Sequence, residues 1–369
     1  MTNQKQIGVG IVGFEPGRSW AAVAHVPALN SLPEYRVAAV ATTRTESALA
    51  AAEAIGLPAD RAFASGAELA ACADVDVVAV TVKVPHHLEL VRAAVAAGKH
   101  VYCEWPLGNG LAEAEEMARL VEAAGVQGVI GLQARCAPPV AYLRDLVNDG
   151  EIGEVLSSNM FGTGIQWGGW VDRPNTYLLD PANGATLMTI PFGHAVDAMC
   201  HALGEFTTLS ALTAIRQPKV KQLENGQMWD KRTPDQLVVS GTLESGAVAT
   251  VHYRGGTSRG SNFVWEINGT KGDLRIEAAG GHAQMFELTL SGGFGADKKL
   301  KPLDIPARYL WVPDAAAGLA TNVAQVYRKL SDALSGKAPT GMDFGVAVKR
   351  HRMLAAIEQA AASGAITTL

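Results

Sequence analysis

Short apolar runs alternate with helix-length amphipathic stretches along the first third of the chain. Val9, Ile11 and Val12 form one run, which ends at Gly13; a Gly/Pro turn follows, then an Ala-rich segment from Ala21 to Leu29. Arg36–Ala41 reads as a second strand, and Glu46–Ile55 as a helix stopped by Gly56 and Pro58. Glu68–Cys72 is a short helix. Val75–Val82 is apolar throughout, as a parallel strand covered on both faces requires. His87–Ala97 is a helix closed by Gly98, His100–Cys103 a strand, Leu111–Ala124 a helix and Gln127–Leu132 a strand. This alternation predicts an α/β fold that starts with a Rossmann-type, doubly wound parallel sheet over residues 1–133. Its ligand crevice lies at the carboxyl ends of the strands.

After residue 133 the pattern changes. Ala137–Asn148 reads as a helix entered through Pro138 and Pro139 and ended by Gly150. Val155–Phe161 is a strand and Thr186–Leu203 mostly helix. Ala211–Ile215, Leu237–Leu243, Ala247–Tyr253, Phe263–Asn268, Asp273–Glu277 and Met285–Leu290 then read as strands. Glu244-Ser245-Gly246 and the stretch Asn268–Gly272 are hairpin turns. The prediction is a C-terminal α+β domain, residues 134–369, with a large, open, mainly antiparallel sheet. One face packs on helices. The other needs a cover, and a second subunit supplies it, so a homodimer through the open face is expected. Gln217–Asp235 is polar and reads as a surface excursion or lid, and Ser291–Asp314 as irregular. Helices follow at Leu319–Leu334 and Phe344–Ala362.

Composition narrows the classes. The 369 residues are 48% hydrophobic and 18% charged, which suits a globular chain with two cores and excludes disorder. A net charge of -5 without a basic stripe gives no nucleic-acid partner. The start, Met1–Gln6, is polar and lacks a signal-peptide core, and the apolar runs are too short for a membrane span. Cys72, Cys103, Cys136 and Cys200 are scattered, with no C-x-x-C, as in a protein of the reducing cytoplasm.

Candidate chemistry sits at the predicted strand ends. Gly8-Val-Gly10-Ile-Val-Gly13 matches G-x-G-x-x-G by letter, but out of register, because Gly8 and Gly10 fall within the strand. The working turn starts at Gly13 and runs through Phe14, Glu15, Pro16 and Gly17, with Ser19 and Trp20 at the helix start. Glycine lets backbone approach a pyrophosphate, and the helix start offers amides to its charge. At the end of the second strand no acid awaits a ribose hydroxyl. Thr42, Thr43 and Arg44 stand there instead, a mixture that suits a 2′-phosphate, so the cofactor is NAD(P), leaning to NADP; the other reading of Arg44 is a solvated surface arginine. Further cofactor candidates at the strand ends are Lys83, Pro85, His86, Glu104, Trp105 and Gln133. His86 and His87 have no third ligand at useful spacing, so no metal site is expected. There is no Ser-His-Asp arrangement and no P-loop.

The segments Val80-Thr-Val-Lys-Val-Pro-His-His-Leu-Glu89 and Ala97-Gly-Lys-His-Val-Tyr-Cys-Glu-Trp-Pro-Leu107 resemble the Gfo/Idh/MocA family of NAD(P)-dependent oxidoreductases. The likeness continues from Gly184 to Asp197 and covers nearly the whole chain. It implies C-terminal helices that pack back beside the first domain. It also implies hydride transfer to or from a small, sugar-like substrate. In the family's enzymes a lysine follows the glutamate of Glu-Lys-Pro and relays a proton, and an aspartate lies four residues before the helix histidine. Here those places hold Trp105 and Ile190. Indole exchanges no proton at neutral pH, although it stacks on a sugar or a nicotinamide. Pieces such as "GIVGFEPGRSW" and "PFGHAVD" resemble most a regulatory branch of the family that binds the nucleotide and has lost catalysis.

His194 is retained, either as the base for a hydroxyl proton or as a structural histidine, and Asp197 lies one helical turn on, where it orients the ring or only caps nearby backbone. Lys83 is a second candidate catalytic group, able to replace the missing lysine. Substrate candidates are Trp105, Arg135, Trp167, Tyr177 and Asp197, with Trp170 and Asp180 in the same loop as Tyr177. Two functions follow: an NAD(P)-dependent oxidoreductase acting on a sugar or cyclic polyol, or a catalytically weak NAD(P) sensor.

Overall fold

A computed structural model describes residues 6–313 and 318–369. All of the polar start except Gln6, and Asp314 at the end of the stretch read as irregular, lie outside the described residues. In chain order the elements are β1 (Ile7–Val12), α1 (Val26–Asn30), β2 (Tyr35–Ala41), α2 (Thr45–Ala54), β3 (Ala62–Phe63), α3 (Gly66–Ala71), β4 (Val77–Val80), α4 (His87–Ala96), β5 (His100–Glu104), α5 (Leu111–Ala124) and β6 (Gly128–Gly131). Then come α6 (Pro138–Asn148), β7 (Val155–Gly164), β8 (Trp170–Val171), α7 (Gly193–Leu203), β9 (Phe206–Ala214), β10 (Lys219–Gln222), β11 (Met228–Asp230), β12 (Gln236–Leu243), β13 (Val248–Gly255), β14 (Phe263–Gly269), β15 (Gly272–Ala278) and β16 (Thr289–Phe294). The chain ends with β17 (Lys301–Pro302), α8 (Leu319–Leu334), α9 (Phe344–Ser363) and β18 (Thr367–Thr368).

Two compact units emerge. One runs to Gln133 and also takes Trp311–Lys349, so α8 belongs with β1–β6 although it follows the second unit in sequence; the other holds Ala134–Leu310 and Arg350–Leu369. The first carries a parallel sheet in the order β3-β2-β1-β4-β5-β6. Val9, Ile11 and Val77 to Val80 are buried, as the unbroken apolar runs require. Gly8 and Gly10 lie in β1 because neighbours press against it: a Cβ on Gly8 would meet Asp74 O at 2.0 Å, and one on Gly10 would meet Leu69 Cδ2 at 2.5 Å. The Ala-rich segment is not a single α-helix. Ala21–His25 forms a π-turn before α1, and Pro27 lacks the amide that would extend an α-ladder back to Val23. From α8, Tyr327 packs edge-on to His25 and tilted against Tyr102, with ring centroids 5.6 and 4.8 Å away.

The second unit is built on a mostly antiparallel sheet, ordered β17-β16-β15-β14-β7-β13-β12-β9-β18, in which β7 and β13 run parallel. The polar stretch Gln217–Asp235 is mostly exposed and holds a hairpin: β10 and β11 pair with each other, and β10 pairs with β8. Its anchor is Lys231, only 3% exposed, whose ammonium donates to Asp235 Oδ2 at 2.8 Å and to the carbonyl of Trp167 at 3.0 Å. The strand expected over Met285–Leu290 begins instead at Thr289. The amides of Met285 and Phe286 donate to the carbonyl of His282, which closes a turn, and the apolar side chains there fill a loop rather than a ladder.

Candidate functional site

At the strand ends of the first unit, Gly13 has φ +98°. Its amide donates to Ala41 O at 3.0 Å, and a Cβ would stand 2.7 Å from Val82 Cγ1, so only glycine fits this turn. Gly17 also has positive φ, +71°, with open space around it. Phe14 is buried beneath the turn. Ser19 acts within the loop: its hydroxyl accepts the amides of Glu15 and Ala22 and donates to Glu15 O at 3.0 Å. Trp20 is half-buried, and its indole Nε1 is shut from water without a hydrogen-bond partner.

The tip of β2 leads into α2 through a hydrogen-bonded turn. The Thr42 hydroxyl donates to Arg44 O at 2.9 Å and shares a hydrogen with Ser47 Oγ at 2.7 Å, whereas Thr43 and Arg44 are exposed. Thr42 is thereby occupied by its own backbone turn. After β4, Lys83, Pro85 and His86 are exposed, and His86 lies 3.3 Å from Glu89. His87, read only as lacking a third metal ligand, has a different task. Its ring is buried, with Nε2 3.0 Å from Val82 O and Nδ1 3.0 Å from Pro106 O, so it ties the end of β4 to the segment after β5. Burial pushes its pKa below the ordinary histidine value, against the upward pull of those carbonyls.

Glu104 ends β5. Its carboxylate receives the Gln133 amide at 2.8 and 2.9 Å and lies 2.8 Å from His25 Nε2. Gln133 Oε1 is buried without a partner. Trp105 is 5% exposed. His25 carried no motif in the sequence; only the long-range contact with Glu104 marks it. An open glycine turn with two orphaned polar atoms, Trp20 Nε1 and Gln133 Oε1, fits a dinucleotide across these tips. Leaving such a group unsatisfied costs about 1–3 kcal/mol.

The second unit sorts its candidates differently. Arg135 and Asp197 face each other: Nε donates to Oδ2 at 2.8 Å and Nη2 to Oδ1 at 2.5 Å, both side chains being buried. Arg350 adds an Nε bond to Asp197 Oδ1 at 3.2 Å and grips Glu205 at 2.9 and 3.0 Å. Burial alone would raise the Asp197 pKa, but Arg135 and Arg350 hold it below the usual carboxylate value. The expectation that Arg135 and Asp197 bind substrate meets a closed structural network, because both carboxylate oxygens already receive guanidinium hydrogens.

His194 is 3% exposed in the first turn of α7, which follows a π-turn over Met188–Phe192 that contains Ile190 and Pro191. Trp167 is buried, and its Nε1 donates to Ala185 O at 3.4 Å. Its ring stacks on His282, centroids 5.9 Å apart at 29°. His282 escaped the sequence reading; a histidine after Gly280-Gly281 in a loop was the available signal. Its pKa is pushed down to about 3, first by burial and then by the neighbouring His194. Tyr177 is half-buried in a 3-10 turn, and burial raises its pKa. Trp170 lies in β8, and Asp180 caps the turn at Ala182 and pairs with Arg232. Among the described residues no three His, Cys, Asp or Glu side chains are grouped to hold a metal ion, and no helix is long and apolar enough to cross a membrane.

Residues 7–132 match the oxidoreductase family with an NAD-binding Rossmann fold, and residues 138–278 match the Gal80p C-terminal domain. The dehydrogenase aclE of Aspergillus oryzae is 36% identical over 287 residues, which cover 74% of this chain and 77% of that protein. The galactose/lactose metabolism regulatory protein GAL80 of Kluyveromyces lactis is 32% identical over 309 residues, 78% of this chain and 67% of that protein. In fold, a super-repressor mutant of Gal80p from Saccharomyces cerevisiae gives a TM-score of 0.89 at 24% identity, covering 99% of this chain and 98% of the other. With its Rossmann and Gal80p-type halves both matched, the chain belongs to the Gfo/Idh/MocA family of NAD-binding oxidoreductases.

Proposed function

We propose that this protein is an NAD(P)-dependent dehydrogenase acting on a sugar or cyclic polyol. The observation that carries this reading is a buried imidazole, His194, in the first turn of α7, in the same unit as the Trp167–His282 stack. His194 takes the hydroxyl proton, and the aromatic stack bounds the apolar side of a sugar ring. Nicotinamide, when bound, supplies the hydride acceptor. Glu104, braced by His25 and Gln133, orders the nicotinamide end of the strand tips, and Gln133 Oε1 and Trp20 Nε1 await polar partners there. Arg135 and Asp197 act as a structural brace rather than as substrate contacts. Exposed Thr43 and Arg44 favour NADP. Incubation with NAD or NADP against a panel of sugars, followed by reduced-nicotinamide absorbance, tests the reading; turnover abolished in His194→Ala supports it.

A second reading is favoured by Trp105 and Ile190 and by the likeness to GAL80: an NAD(P)-binding sensor without turnover. Tight cofactor binding with no turnover on any polyol decides for it. The face of the large sheet that bears Leu212 and Val248, 66% and 56% exposed, is proposed as the homodimer interface. A monomer in light scattering at working concentration counts against that. The cytoplasm is the proposed compartment, tested by cell fractionation.

A further inference from the structure

Of the buried polar side chains in the second unit, His282 has the most unmet hydrogen bonding. The residue is 6% exposed, and neither ring nitrogen has a partner. A neutral imidazole carries one N–H donor and one lone-pair acceptor, so both functions are open. Burial and the neighbouring His194 keep this ring neutral at physiological pH.

The fold forces the orphan into place. Gly281, just before it, lies so close to β7 that a Cβ would stand 2.1 Å from Thr163 O. The Tyr253 hydroxyl donates to Gly281 O at 2.9 Å, and the His282 carbonyl accepts the amides of Met285 and Phe286 at 2.8 and 3.1 Å. Trp167 covers one face of the ring and is itself pinned through its carbonyl by the Lys231 ammonium at 3.0 Å. Gln166, next to Trp167, also has its amide oxygen buried without a partner. A rigid backbone that holds an unsatisfied polar group beside a histidine is a preorganised recognition element.

The chemistry of the missing partner follows. A carboxylate only accepts and an ammonium only donates, so neither serves both nitrogens. Hydroxyls do both. We propose that His282 is a substrate-binding residue, one of whose unpartnered ring nitrogens hydrogen-bonds a hydroxyl of a polyol lying beside His194. This rests on the polyol reading above and adds His282 to the groups that hold the substrate.

The test measures binding apart from turnover. The full chain, saturated with NADP or NAD, is titrated calorimetrically with myo-inositol, glucose, glucuronate and gluconate, and turnover is followed separately. The expected result is measurable binding of at least one of these hydroxyl-bearing ligands to the wild-type protein. His282→Leu weakens that binding by at least about 10-fold and leaves cofactor affinity unchanged, while His282→Asn and His282→Gln, each with a donor and an acceptor, retain part of it. Polyol binding without turnover leaves this proposal standing and overturns the dehydrogenase reading. Unchanged binding in His282→Leu, or no binding of any of these ligands to the wild-type protein, overturns the proposal. If His282→Leu fails to fold, His282→Phe and His282→Gln are compared instead, with equal binding in the two counting against it.

Discussion

His25 Nε2 lies 2.8 Å from Glu104 Oε1, and Nδ1 of the same ring lies 2.8 Å from the Tyr327 hydroxyl. One imidazole thus joins the first helical segment, the tip of β5 and the late helix α8. Glu104 ends β5 at the proposed cofactor crevice, and His25 holds its carboxylate. His25→Phe keeps most of the ring packing against Tyr102 and removes the bond to the carboxylate. Calorimetry is expected to show about 10-fold weaker NAD(P) binding, as for loss of a hydrogen bond to a charged group. A lower melting temperature with unchanged cofactor affinity would mean that the contact is structural only.

Gly13→Ala places a side chain in the left-handed region and against Val82. We expect a stability loss of about 1–3 kcal/mol in urea unfolding and at least about 10-fold weaker cofactor binding. An alanine variant with wild-type affinity would contradict the assignment of this turn to the pyrophosphate.

The Asp197 network predicts a large stability effect. Asp197→Ala leaves Arg135 and Arg350 buried without their shared carboxylate, and about 3–5 kcal/mol should be lost in denaturant melts. The pH dependence has a definite sign. Despite its burial, Asp197 is held below its unfolded pKa of about 3.9 by the two arginines. Its contribution is therefore complete above that value and lost as pH falls through the lower folded value. Asp197→Asn should be less stable at neutral pH and lose less on acidification than the wild-type protein. Parallel acid curves for the two would contradict the paired carboxylate.

Cofactor choice is proposed to be read at the β2 tip. Arg44→Ala should weaken NADP binding by about 10-fold, the effect of one charge-assisted contact to phosphate, and leave NAD within about 2-fold. Equal losses for both cofactors would remove Arg44 from 2′-phosphate recognition.

Trp105→Lys combined with Ile190→Asp supplies the lysine and aspartate that the family resemblance implies at these two positions. General acid–base groups contribute about 100- to 10,000-fold, so even partial recovery should raise polyol oxidation by at least about 10-fold. A large gain would favour the sensor reading for the natural chain. Loss of an existing activity in the double variant would show that Trp105 belongs to a working site.

The first sheet was legible because buried parallel strands leave unbroken apolar runs, as at Val77–Val80, and because glycines punctuate the turns between them. The antiparallel sheet was legible through its hairpin turns and alternation; its seventh predicted strand slipped because Met285 and Phe286 are apolar for loop packing, which local pattern cannot distinguish from a ladder. The family was legible in short motifs held in order along the whole chain.

Side-chain partners were not legible. The one-turn spacing of His194 and Asp197 suggested a dyad, yet Asp197 meets Arg135, 62 residues before it, and Arg350, 153 residues after it. His25 and Glu104 are 79 residues apart, and His282 is brought beside Trp167 by a loop with no motif of its own. Local sequence determines backbone propensity and which face is apolar, because those depend on neighbours three or four positions away. Which polar groups find each other in the interior depends on how distant elements pack, so only the tertiary structure decided it.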